Sequence, residues 1–151
     1  MLDANLLLLF LVGQVAPRSI GIERGVKEFV QEDFILLKEE IIDAATALYT
    51  MPNIVTEVSN LVRAGDRERI RGITAALGKW VLRANEEYVE SRAIVSDPVF
   101  SRFGLTDAGL KIVLSRGILL VTVDRPLAGL VEKLKFDVLN FNHLRFRDLQ
   151  G

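Results

Sequence analysis

Residues 117–124 read Gly-Ile-Leu-Leu-Val-Thr-Val-Asp. Ile118 to Val123 is a continuous apolar, β-branched run, the composition of a parallel strand covered on both faces. Asp124-Arg125-Pro126 breaks the run and opens a helix expected over Leu127 to Lys135, followed by a second short strand, Phe136 to Leu139. On the other side, Thr106 is placed to cap a helix from Asp107 to Arg116, and Gly117 stands where a left-handed C-cap is wanted. Helix, strand, helix, strand implies right-handed crossovers. The expected architecture is therefore α/β: three layers, α/β/α, around a central, mainly parallel sheet.

Further upstream, Phe34, Leu37, Ile41, Ala44, Ala45 and Leu48 fall at three- and four-residue steps, which predicts a helix from Asp33, its N-cap, to Tyr49. Ala47 to Met51 reads as a short extended piece stopped by Pro52, and a helix from Pro52 to Arg63 follows, ended by Gly65. Asp66 caps the longest element, whose stripe runs through Ile70, Ile73, Leu77, Trp80, Ala84 and Tyr88. Glu90 to Gly104, with Ser96-Asp97-Pro98 inside it, reads as strand or irregular loop. The tail from Asn140 is polar and aromatic.

Leu6 to Val12 is apolar throughout but far shorter than the roughly 18–20 residues that span a bilayer, so it predicts an element buried on all sides and no membrane association. Met1-Leu2 is then the end of a very short first strand. Met1 to Asn5 carries Asp and no Lys or Arg, unlike the head of a signal peptide, so the expected location is cytoplasmic.

With 151 residues, half of them hydrophobic and 26% charged, the chain is expected to form a single domain over residues 1–151. Having no Cys, it has no disulfide framework, thiolate nucleophile or sulfur-ligated zinc, and a single His removes His-rich metal clusters. Carboxylates and hydroxyls are left as catalytic groups, and Asp and Glu together number 20. The net charge of −1 argues against a constitutive duplex-DNA binder. Neutralising four carboxylates with divalent cations would turn that into +3, mildly attractive to a polyanion.

In an open parallel sheet, ligands bind beyond the carboxyl ends of strands, which singles out Asp124 and Asp3. Asp107 sits in a helix's first turn, where the backbone dipole favours the ionised carboxylate, and Glu57 lies one turn into the helix after Pro52, between Val55 and Val58. These residues stand in four short stretches: Asp3-Ala4-Asn5 before an apolar helix, Thr56-Glu57-Val58-Ser59-Asn60-Leu61, Leu105-Thr106-Asp107-Ala108 and Thr122-Val123-Asp124. In that order, with helix and strand between them, they resemble the PIN-domain metal-dependent nucleases, including the VapC-like toxin ribonucleases. The closing Val138-Leu139-Asn140-Phe141-Asn142 is similar to the last strand and tail of such proteins.

The resemblance implies an endoribonuclease in which Asp3, Glu57, Asp107 and Asp124 form an acidic pocket, at once catalytic and ligating Mg²⁺ or Mn²⁺, with Asn5 and Thr122 orienting it. Hard oxygen donors suit these cations, which polarise a phosphodiester and activate water. RNA is the implied substrate, an inhibitory antitoxin-like protein is an implied partner for a toxin-type enzyme, and the helical faces between Asp33 and Tyr88 leave room for a homodimer. Asp124 is followed by Arg125, where many relatives carry another acid, so Arg125 is available to a phosphate.

The alternative reading is a catalytically degenerate PIN-like module that binds RNA or a protein partner without cleavage. A phosphotransfer domain with Asp3 as nucleophile would want a second Asp at Asn5 and a Lys after a later strand, and neither is evident. His143 reads as a packing or hydrogen-bonding residue and Trp80 as core. Arg63, Arg67, Arg69 and Arg71, interrupted by Asp66 and Glu68, read as a solvated face.

Overall fold

Helix α1, Ala4–Val15, is wrapped on several sides in the computed structural model, which describes residues 1–63 and 66–148, with side chains as far as Arg145. Every residue from Leu6 to Val12 is buried, as a uniformly apolar helix requires. It packs against α2 (Gln31–Leu36), α3 (Pro52–Leu61) and α4 (Arg67–Arg83), with Phe10 edge-on to Trp80 at a centroid separation of 5.5 Å. Trp80 is thus a core residue. Gly13 makes the approach of α2 possible, because a Cβ there would lie 2.1 Å from a ring carbon of Phe34.

Strand β1 (Tyr49–Thr50) pairs in parallel with β2 (Asn85–Glu86), and β3 (Leu120–Thr122) with β4 (Val138–Asn140). Leu2 adds a single parallel bridge to Val121, and this is all that forms of the expected first strand. The expected three-layer architecture around a central, mainly parallel sheet is therefore incorrect. Of the described residues 62% are helical, and the strands among them form two short two-stranded parallel pairs. The interior that a broad sheet would occupy is filled by α1, whose apolar residues point in every direction and so need helices around them.

The remaining elements are α5 (Ser91–Val95), α6 (Phe100–Leu114), α7 (Arg125–Lys133) and α8 (Phe141–Asp148). Several boundaries move for identifiable reasons. Asp33 is the third residue of α2, not its cap; it accepts the Val30 N–H at 2.9 Å and pairs with Arg145 of α8, also at 2.9 Å. After α2 the chain makes a π-helical turn, Leu37–Ile42, and leaves the helix before Tyr49, because Tyr49 and Thr50 are drawn into pairing with β2. The segment Glu90 to Gly104 holds α5 and the start of α6, where a strand or loop was expected. Asp97 starts that change, accepting the Val99 N–H at 2.9 Å and pairing with Lys111 at 2.7 Å. α7 begins at Arg125, directly after its cap Asp124, and the polar and aromatic segment Phe141–Asp148 is helical. Asp66 caps α4 as expected, accepting from Glu68 and Arg69, and Gly117 takes a φ of 84° after α6. Gly65 lies outside the described residues. No helix among them is long and apolar enough to cross a membrane.

Candidate active site

At the end of β3 the chain passes from Thr122 through Val123 to Asp124, and the Met1–Asp3 segment runs alongside it. The Asp3 N–H donates to Val121 O at 3.1 Å, which sets its side chain against the β3 terminus. Asp3 is 7% exposed and serves as N-cap of α1, its Oδ1 accepting the Leu6 N–H at 2.8 Å. Its Oδ2 accepts the Val123 N–H at 3.0 Å and a short hydrogen bond from Thr122 Oγ1. The wholly buried Thr122 hydroxyl accepts in turn from the Asp124 N–H at 3.0 Å, so one side chain links the position of Asp3 to the backbone of Asp124. Asp124 is exposed and caps α7, with Oδ1 on the Leu127 N–H at 2.8 Å.

Asp107 is delivered by a break in α6. Gly104 has φ 81° and ψ −174°, a conformation essentially confined to glycine, so the helix restarts at Leu105 and holds Asp107 in its first turn. This break, rather than a cap at Thr106, is what starts the second half of α6. Burial pushes the Asp107 carboxyl up to about 6, and repulsion from Asp124, Glu57 and Asp3 adds to the rise. Asp3 is likewise raised to about 6, mainly by burial; its hydrogen bonds from Thr122, Leu6 and Val123 oppose the rise, and the charge of Asp124 adds to it. Glu57 is exposed on α3, at the border of the face that buries Ile54 and Val58.

Carboxylate oxygens are the donors that a hard cation takes. Among the described residues no three His, Asp or Glu side chains form a ready-made metal cage. Mg²⁺ does not demand one: it keeps several waters and binds through one or two carboxylates together with substrate phosphates. Asp107, Asp124, Glu57 and Asp3 are the residues that could hold it.

Asn5 lines a cleft of about 490 Å³ with Asp124, Arg125 and Asn142. Two supports escaped the sequence reading. Asn142 donates from Nδ2 to Val123 O at 3.0 Å, steadying the turn that carries Asp124, and accepts from Arg145 Nη1 at 3.3 Å. Arg145 also bonds to the Glu28 carbonyl and Asp33, which fixes α8 against α2. The only local signal was the spacing Asn140-x-Asn142, whose side chains bond to each other at 3.1 Å. His143 is exposed and lines a separate small cleft with Glu132 and Arg125. No family model matches the chain, and no curated protein or solved structure is significantly similar to it.

Proposed function

We propose that the chain is a metal-dependent endoribonuclease acting in the cytoplasm, its acids ordered as in the PIN-domain nucleases. The observation that carries this reading is the linkage of Asp3 to the Asp124 backbone through the buried Thr122 hydroxyl at the end of β3, beside which burial and the charges of Asp124, Glu57 and Asp3 push the Asp107 carboxyl up. Structural ion pairs would meet such charge with Lys or Arg; among the described residues none of the ion pairs involves Asp3, Glu57, Asp107 or Asp124, which leaves these carboxylates open to a cation. Mg²⁺ or Mn²⁺ bound there would polarise the phosphodiester and lower the pKa of an attacking water. Asp3, held by Thr122, Leu6 and Val123, is the rigid member of the set. Glu57 and Asp124 are solvent-exposed and within reach of a polymer, and an inhibitory protein partner of the antitoxin kind would act by covering them.

The reading is tested by incubating labelled single-stranded RNAs with Mn²⁺. The wild type is expected to cleave, and Asp107→Asn to lose at least about 100-fold in rate while keeping a cooperative melt. Equal degradation by the two proteins would end the nuclease reading. Arg125 beside Asp124, and the commitment of both Asp3 oxygens to internal hydrogen bonds, favour a second reading, an RNA-binding module that does not cut. Binding without cleavage by the wild type would establish it.

A further inference from the structure

Next to the acids, on the Glu57 side, a cleft of about 660 Å³ opens between α3 and the chain around α5 and the middle of α6. That volume lies within the range of about 300–1,000 Å³ usual for ligand sites. One wall is a stripe of α3: Asn53, Thr56, Glu57 and Asn60 share a face at i, i+3, i+4 and i+7. The two amides thus flank Glu57 along the helix. On the other wall stand Tyr88, 70% exposed, and Leu105, 38% exposed, two residues before Asp107. Tyr88 contributes little to the core, and its ring is a large aromatic surface left open in the cleft that Glu57 also lines.

We propose that this cleft is a nucleobase subsite: a base of single-stranded RNA next to the scissile phosphate stacks on Tyr88, and the amides of Asn53 and Asn60 read its hydrogen-bonding edge. The proposal rests on the ribonuclease reading and names how its substrate is held. Single-stranded RNA is recognised by splaying a base onto an aromatic face, and an amide offers a donor and an acceptor together, as a base edge requires. The placement is consistent with the chemistry, because Glu57 lines one wall of the cleft and Leu105 and Thr106, which directly precede Asp107, line the other.

The test uses 5′-labelled A6, C6, G6 and U6 RNA, with binding followed by fluorescence anisotropy in Ca²⁺ and cleavage in Mn²⁺. Tyr88→Ala is expected to weaken binding about 10-fold or more, with the loss falling on KM rather than kcat, and Tyr88→Phe to recover most of it. Asn53→Ala and Asn60→Ala should flatten the preference among the four hexamers. Leu82→Ala, at a 90% exposed position on α4 outside the cleft, is the control for a lost surface side chain. Cleavage by the wild type with a KM that Tyr88→Ala moves less than twofold would overturn the subsite and leave the nuclease standing. Tyr88-dependent binding without cleavage would uphold the subsite and overturn only the nuclease. Neither binding nor cleavage by the wild type would overturn both.

Discussion

Asp3 and Asp107 each titrate near 6, well above the usual 3.8, so the folded protein favours their protonated forms. Between pH 4 and 6 the native state holds more protons than the unfolded chain, and stability falls as pH rises through that window. In EDTA the melting temperature is therefore expected to drop from pH 4 to pH 6.5. Asp107→Asn should show a shallower drop and be more stable at neutral pH by about 0.5–1 kcal/mol, a figure kept small by solvent screening. Cleavage has the opposite slope, because only the ionised carboxylates hold a cation: at fixed, low Mn²⁺ the rate should rise through pH 6, with a midpoint that falls as Mn²⁺ is raised. Thr122 offers a sharper probe. Thr122→Val strands the Asp124 N–H and removes a bond from Asp3, for an expected loss of about 1–3 kcal/mol in denaturant melts. It should also move the acid limb of the pH–rate profile upward, since the hydroxyl lowers the Asp3 pKa, and Thr122→Ser should restore both.

The interrupted helix α6 has its own test. At Gly104 an added Cβ would meet no atom within 4 Å, so Gly104→Ala is penalised by backbone conformation alone. The expected cost is about 1–3 kcal/mol in a urea melt. If the variant escapes by straightening the helix, Asp107 is displaced from the other acids, and a shift of even about 1 Å can lower turnover roughly 100-fold. A variant with wild-type stability and wild-type cleavage would show that the break does not position Asp107. Helix α7 meets the same requirement differently: its cap is itself a site acid, so Asp124 serves the fold through Oδ1 and can still offer its other oxygen to a ligand.

Across the molecule, a cation that binds only the folded state must stabilise it. At 100 times its dissociation constant the gain is about 2.7 kcal/mol, which for a chain of this length raises the melting temperature by roughly 5–11 °C. Mn²⁺ is expected to produce a rise of this order, reversed by EDTA and lost in Asp107→Asn; calorimetric or fluorescence melts at pH 7.5 check it. Absence of a shift up to millimolar Mn²⁺ would remove the metal from the proposed mechanism. The overall charge of −1 makes neutralisation of the carboxylates matter for the proposed polyanionic substrate as well.

Features whose physics is local were legible in the sequence. Asp66 and Asp124 cap helices by bonding to N–H groups two or three residues on, Gly117 takes its left-handed turn because it lacks a Cβ, and Leu6 to Val12 declares its burial by being apolar on every side. The four acids could be picked out by their places in such local patterns. The hydroxyl of Thr122 on Asp3, a contact across 119 residues, could not, nor could the hold of Arg145 on Asp33 across 112. Strand extent was misjudged for the same reason. A β-branched run states a preference, but how many residues pair depends on what lies beside them, and around α1 the helices left room for only two or three. Capping and burial preferences reside in short stretches of chain, while the register of strands and the meeting of distant charges exist only once the tertiary packing has closed.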